Sequence, residues 1–392
     1  MPKSLPPYKI IETKPDLEDF YLQHKDLDWM GFDTEFVGEK RFVTQLCLIQ
    51  TTSTVGHFII DPLKLPDIQP FLELIQNPGI LKITHAGEND YRLLNILYGI
   101  LPSNLFDTQI AAAFTGYKYP TSFQKLVEGE LKKVLKKGYS VTDWERRPIQ
   151  VAQLSYALED VIFLPDLWRK LGEKLEKSGR LEWAKEEFAK LELVDYYARD
   201  PHQEALQSNM MRSLNEREQV FLLRIYEWRR KLAEKRNHSK EMVLSAKLIP
   251  MIVKNIASGK NALLQNRRLP DRLTRDYADV FLSMFEQPIT PEERRVLQQI
   301  PLEREEDEKE EIIQEVLYQM VKYKCFEHEI SINMMFSRNN LRKFRAEPEE
   351  ARLVLENSWR GRLLGDSFLE WLTSANDMDV TMADSKIEIE LK

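Results

Sequence analysis

Asp33-Thr34-Glu35 sets two carboxylates two residues apart in an extended context. The apolar-rich stretch Leu27-Asp28-Trp29-Met30-Gly31-Phe32 precedes it. A basic, Gly-containing turn and the run Gln45-Leu46-Cys47-Leu48-Ile49-Gln50 follow. This reads as a strand, a turn and a second strand. On a strand, side chains at i and i+2 share a face, so Asp33 and Glu35 point one way and Thr34 the other. Two carboxylates side by side repel unless cations neutralise them. Hard divalent cations take oxygen ligands, so the chemistry open to this pair is metal binding. Alone, the triplet is equally readable as two solvated charges on an edge strand.

Two further contexts carry acids. In Ile80-Leu81-Lys82-Ile83-Thr84-His85-Ala86-Gly87-Glu88-Asn89-Asp90-Tyr91 a short apolar strand ends at His85, and Asp90 opens a helix over residues 90–98. The helix dipole also favours a carboxylate there. In the segment 154–164 the apolar spacing is helical, and Tyr156 and Asp160, four residues apart, share one face. A core tyrosine with an acid nearby would have the same spacing.

Taken together, the three contexts resemble the DEDD superfamily of exonucleases, in its tyrosine-bearing branch. Asp33-Thr34-Glu35 looks like the first motif, Asp90 the second, and Tyr156-x-x-x-Asp160 the third. Asp33-Thr34-Glu35-Phe36, Gln45–Gln50, His85-Ala86-Gly87, Asp107-Thr108-Gln109, Thr142-Asp143-Trp144 and Arg147-Pro148 narrow the resemblance to the ribonuclease D family. It extends over essentially the whole chain. It implies a 3′-to-5′ exoribonuclease that releases 5′-nucleoside monophosphates. The implied substrates are transfer-RNA precursors and other small structured RNAs with free 3′ ends. Phosphodiester hydrolysis needs an activated water and relief of charge on the leaving 3′-oxygen, which two ions about 4 Å apart supply. Asp33, Glu35, Asp90 and Asp160 are the expected ligands of two divalent ions, Mg²⁺ or Mn²⁺. Tyr156 is expected to orient the attacking water, since a phenol with a pKa near 10 is a poor base at neutral pH.

The chain has 392 residues, of which 43% are hydrophobic, enough for two or three domains. Cys47 and Cys325 lie far apart and form no CxxC pattern, which argues for a reducing compartment. There is no apolar run long enough to cross a bilayer and no apolar core of a secretion signal at the N-terminus. The expectation is a cytoplasmic monomer away from membranes. The net charge of −7 is the wrong sign for a nucleic-acid enzyme, but its distribution is uneven. Residues 210–287 hold 16 Lys and Arg against 9 Asp and Glu, whereas the acid run lies at 303–311.

Alternating signals over residues 1–170 imply a mixed sheet flanked by helices, which fits the ribonuclease-H-like α/β fold that the resemblance implies. Strands are expected at 29–36, 43–50, 55–61 and 81–85. Helices are expected at 67–76, 90–98, 108–114 and 153–170. Residues 171–209 read as a helical connector with a solvated charged face. From residue 210 no strand signal remains. Ser213-Leu214-Asn215-Glu216 resembles a capping box. Residues 210–290 resemble a helicase-and-RNase-D C-terminal (HRDC) domain, an all-α bundle, and 291–375 a diverged second one. Residues 376–392 read as a frayed polar tail. In the first of these domains Trp228 reads as core, and Arg229, Arg230 and Lys235 as RNA-phosphate contacts. His85 is as readily a hydrogen-bonding residue at a strand end as a substrate contact. The competing readings are a 3′-to-5′ exonuclease acting on DNA and a catalytically inactive nucleic-acid-binding protein. Five intact site residues argue against the second, and the absence of a G-x-x-x-x-G-K-[ST] loop excludes a fused helicase.

Overall fold

Six apolar strands form one mixed sheet in the computed structural model, which describes residues 6–135, 142–198, 200–300, 308–366, 368–369, 378–383 and 386–391. The strands are β1 (Tyr8–Ile11), β2 (Trp29–Val37), β3 (Gln45–Thr52), β4 (His57–Ile60), β5 (Leu81–Thr84) and β6 (Leu105–Asp107), in the order β1-β4-β3-β2-β5-β6. β1 with β4, β2 with β5 and β5 with β6 run parallel, and β3 with β4 antiparallel. Trp29 lies opposite Leu81 and Gly31 opposite Ile83. β2 is therefore an interior strand, with Met30, Phe32 and Thr34 all buried. Helices α1 (Lys14–His24), α2 (Gln69–Gln76), α3 (Glu88–Tyr98), α4 (Thr108–Ala113), α5 (Phe123–Leu131), α6 (Val151–Ile162), α7 (Leu164–Lys177), α8 (Leu181–Lys190) and α9 (Val194–Tyr197) follow the strands.

The chain forms two compact units. A sheet unit comprises residues 1–35, 46–197 and 306–392, and a helical unit comprises 36–45 and 198–305. The helical unit contains α10 (Gln203–Leu206), α11 (Glu216–Arg236), α12 (Lys240–Val243), α13 (Ile249–Ile256), α14 (Lys260–Leu264), α15 (Asp271–Glu286) and α16 (Pro291–Leu297). Its core joins Phe221, Leu222 and Ile225 of α11 to Ile252 and Val253 of α13 and Phe281 of α15. Trp228 packs against Tyr277 and Phe281, with ring centroids 4.9 and 5.0 Å away. The capping box sits two residues beyond the expected start: Asn215 and Glu218 bond each other's backbone N–H at 3.1 Å.

This division differs from the expected segments. The start of the 291–375 segment belongs to the helical unit, because Arg224 of α11 grips Glu293 of α16 through two bonds of 2.6 and 2.8 Å. The remainder joins the sheet unit as α17 (Glu308–Glu327), α18 (Arg338–Ala346), α19 (Pro348–Leu355) and α20 (Trp359–Leu364). Trp359 is fully buried there, 4.9 Å from Phe114 between ring centroids, with its indole N–H donating to Glu187 at 2.5 Å. Arg360 reaches the same carboxylate at 2.7 Å. α20 also crosses close to the end of α19, since a Cβ at Gly361 would fall 2.1 Å from the Leu355 carbonyl oxygen.

Residues 171–197 are likewise no free connector. Leu171, Leu175, Ala184 and Phe188 lie in the sheet unit's core, and Glu186 and Glu187, expected on a solvated face, are ion-paired with Arg362 and Arg360. The tail is not frayed throughout. β7 (Met378–Ala383) and β8 (Lys386–Leu391) form an antiparallel hairpin, and Ile387-Glu388-Ile389-Glu390-Leu391 carries the alternation that favours a strand. The acid run over 303–307 lies outside the described residues. Among those residues no helix is long and apolar enough to cross a membrane.

Candidate active site

β2 delivers Asp33 and Glu35 at the C-terminal half of an interior strand, and α6 brings Asp160 to meet them. Single carboxylate oxygens of Asp33, Glu35 and Asp160 all lie within 4.8 Å of one another. Asp90 stands in the first turn of α3, which begins at Glu88, two residues before its expected start. It is nearly fully buried and is tied to β2 by the Thr34 hydroxyl, which donates to its Oδ1. Thr34 lies on the opposite face of β2 from Asp33 and Glu35, the face that also carries Phe32 against Tyr91 of α3. Its side chain holds the fourth carboxylate. The Gln50 amide on neighbouring β3 donates to Asp33 Oδ2 at 2.6 Å.

Other contacts set the two supporting helices. Asp107 accepts from the backbone N–H of Gly87 at 2.8 Å and of Ala86 at 3.2 Å, fixing the turn before α3, and it caps α4 by accepting from Gln109 N–H at 2.8 Å. The turn needs that hold because Ala86 has a φ of 57°, in the left-handed region. His85 is committed to the protein, with Nδ1 2.9 Å from the Thr108 hydroxyl and Nε2 3.1 Å from the Thr121 carbonyl. On the other side, Arg147 holds the fully buried Asp61 by two bonds of 2.6 and 2.7 Å and donates to the Cys47 carbonyl at 2.8 Å. Gln153 of α6 donates to Thr142 and to the Asp143 carbonyl. The segment 142–148 is thereby pinned to the sheet and to the start of α6. The expected helix over 153–170 is in fact two, α6 and α7, separated at Phe163 where Pro165 follows in the first turn of α7.

The electrostatics follow from crowding without a cation. Burial raises Asp33 well above the carboxylate range, and Asp90, Asp160 and Glu35 push it further. Burial, then the charges of Asp160 and Asp90, raises Glu35 to about 9. Asp90 and Asp160 rise to about 7, chiefly through burial, while Thr34 and Tyr156 respectively pull them back down. Among the described residues no Lys or Arg forms an ion pair with any of the four. Oxygen donors converging without a protein cation suit a hard divalent ion. Tyr156 sits a turn before Asp160, its hydroxyl beside that carboxylate and its ring 6.1 Å from that of Trp144.

Thr34→Val keeps the shape but removes the side-chain donor to Asp90 and leaves only backbone hydrogen bonds to it. The expected loss is about 1.5–3 kcal/mol of stability, as for a hydrogen bond to a charged group, measured by denaturant unfolding. An unchanged midpoint would show that the Thr34–Asp90 bond holds nothing in place.

In the helical unit the three expected phosphate contacts fare differently. Arg229 is 2% exposed, so its assignment is corrected: it donates to Glu204 at 2.8 Å, to Glu241 and to the carbonyls of Leu244 and Lys240, and cannot reach RNA. Arg230 is half-buried and lies 3.7 Å from Glu234. Lys235 is exposed. Thr34, Gln50, Asp61, Asp107 and Gln153 lay within or near quoted motifs, but their supporting roles needed partners distant in sequence.

The chain is similar to known nucleases. Residues 8–176 match the family model described as 3′-5′ exonuclease. Ribonuclease D of Bartonella henselae is 36% identical over 230 residues, 58% of this chain and 56% of that protein. Ribonuclease D of Nitrobacter hamburgensis is 30% identical over 262 residues, 67% of this chain and 68% of that one. The crystal structure of Escherichia coli RNase D shares the fold, with a TM-score of 0.79 at 24% identity over 94% of this chain and 99% of that one.

Proposed function

This chain belongs to the ribonuclease D family of 3′-to-5′ exoribonucleases, and we propose that it trims the 3′ ends of transfer-RNA precursors and other small structured RNAs. The observation that carries this reading is the convergence of Asp33, Glu35 and Asp160 within 4.8 Å, with Asp90 tied to the same strand. Exonucleases of this fold use divalent metal ions. We assign Asp33, Glu35, Asp90 and Asp160 as the residues that would hold two, Mg²⁺ or Mn²⁺. When bound, such ions lower the pKa of water and offset charge developing on the phosphate and the leaving 3′-oxygen.

The chain's own groups have separate tasks. Thr34 and Gln50 fix the carboxylates of Asp90 and Asp33, so that the donor set is arranged in advance. Tyr156 keeps its proton at neutral pH, because burial and the neighbouring acids raise its pKa above the ordinary phenol value. Its hydroxyl is thus a donor or positioning group for the attacking water, not a base. We read residues 210–290 as an HRDC domain that adds RNA affinity, and the protein as a cytoplasmic monomer. Two free, buried cysteines fit a reducing compartment.

The test is digestion of matched RNA and DNA oligonucleotides, with 3′ ends free or blocked, in Mg²⁺ and in excess EDTA. The expected result is a 3′-to-5′ ladder from RNA with a free 3′-hydroxyl, complete loss with the chelator, and protection of the blocked strand. Undiminished cleavage in EDTA would sink the metal assignment, and equal cleavage of DNA would sink the substrate assignment.

A further inference from the structure

We propose that the groove between α13 and α14 of the helical unit grips the RNA phosphate backbone, and that the basic run on α11 contributes less. This rests on the exoribonuclease reading above. The stretch from residue 242 to residue 270 contains five Lys and Arg and no Asp or Glu. Its apolar side chains Ile249, Ile252, Val253, Ile256, Leu263 and Leu269 are buried in the unit's core, which turns the cations outward. Lys247, Lys254, Arg267 and Arg268 are exposed, and among the described residues none of these four forms an ion pair. The fifth, Lys260, is paired with Asp279 at 2.7 Å.

The same face is concave. A groove of about 510 Å³ is lined by Lys254, Arg268, Asn255, Gln265 and Asn266 over a floor of Met251 and Ala262. Cations and side-chain amides are the groups that meet phosphate and sugar oxygens. No aromatic ring lines it, so bases have no stacking platform. The groove therefore fits a backbone of any sequence.

The α11 run looks more basic in sequence but is partly neutralised in place. Arg229 is buried, Lys231 is 2.8 Å from Glu227, Arg230 is paired with Glu234, and Lys240 of α12 with Glu204. Lys235 is exposed without an ion pair among the described residues, and Arg236 donates to the Tyr277 hydroxyl. A cation held by a carboxylate must give up that partner to meet a phosphate, whereas an unpaired one neutralises it directly.

The experiment measures affinity of the full chain for a fluorescein-labelled single-stranded RNA, in EDTA to prevent cleavage, across a salt series. The variants are K254A/R267A/R268A, which removes the two groove cations and the adjacent exposed Arg267, and R230A/K231A/K235A on α11, with thermal unfolding run on both as a check on folding. Single strands lose about 0.7 of log affinity per log salt for each phosphate neutralised. The groove variant should therefore have a salt slope shallower by about 2, and its deficit against wild type should grow about 20-fold between 200 and 50 mM salt. The α11 variant, which loses one unpaired cation, Lys235, should be shallower by only about 0.7. A wild-type slope in the groove variant overturns the proposal, as does an equal flattening in both variants, which would mean a diffuse field. If the groove variant fails to fold, the milder K254Q/R268Q is measured instead, with a slope shallower by about 1.4 expected. Wild-type protein that neither binds RNA in EDTA nor degrades it in Mg²⁺ refutes the exoribonuclease reading itself, which the digestion ladder detects independently.

Discussion

Asp33→Asn is expected to lower RNA cleavage by several orders of magnitude while leaving a folded protein. Asp33 carries the largest burden of neighbouring charge, because Asp90, Asp160 and Glu35 all act on it. The amide keeps the acceptor and the shape but removes a negative ligand. Divalent ions contribute several kcal/mol of charge stabilisation to such reactions, at about 1.4 kcal/mol per factor of ten in rate.

The same substitution should raise the stability of the metal-free protein above neutral pH, and the sign follows from linkage. In the unfolded chain these carboxyls ionise near 4. In the folded chain Asp90 and Asp160 hold their protons to about 7 and Glu35 to about 9. Between those limits the folded state binds more protons, so stability falls as pH rises. Removing one charge from the cluster relieves that fall. Thermal unfolding of both proteins in chelator, at pH 6 and pH 9, checks the direction, and rate assays in Mg²⁺ check the activity. A folded variant with a near-wild-type rate would show that Asp33 is not a ligand.

What the sequence revealed of this site was its local geometry. The i, i+2 spacing on β2 and the i, i+4 spacing on α6 are properties of neighbouring residues, and both hold. Partners distant in sequence were not legible. Thr34 does lie on the far face, but strand alternation says nothing about the helix whose first turn brings Asp90 to it there. Arg229 looked like surface charge because it stands in a run of cations. Glu204 and Glu241, 25 and 12 residues away in sequence, are what make it an interior residue.

The fold divides the same way. The longer strands β2 and β3 were evident from their apolar runs. β1, four residues of Tyr-Lys-Ile-Ile, exists because it pairs in parallel with β4, about fifty residues later. β6 has three residues, and α1 is too polar on average to stand out by periodicity. The final helices resembled a separate domain because their local pattern is helical throughout. What joins them to the sheet unit is Trp359 meeting Glu187 and Phe114, a pairing no local pattern contains.

Tyr156→Phe is expected to lower kcat by about 10²–10³-fold, the usual loss for one donor aimed at a transition state, with little change in KM. The ring survives the change, and with it the packing against Trp144 at 6.1 Å between centroids. The carboxylates of Asp33, Glu35 and Asp160 stay where they are. Only the hydroxyl beside Asp160 is lost. An ordinary phenol keeps its proton at neutral pH, and in the metal-free protein burial and three nearby acids disfavour the phenolate further. The expected contribution is therefore a hydrogen bond rather than proton abstraction. A bond made chiefly as the water attacks lowers kcat and kcat/KM together, whereas a bond to bound substrate raises KM. Single-turnover rates at saturating RNA, paired with RNA affinity in EDTA, separate the two cases. If affinity and rate fall by the same factor, Tyr156 holds the substrate and the water is oriented by something else. A flat pH profile for the deficit between pH 6 and pH 8 is also expected, because a phenol ordinarily titrates near 10. A deficit that closes towards high pH would instead assign Tyr156 as a base.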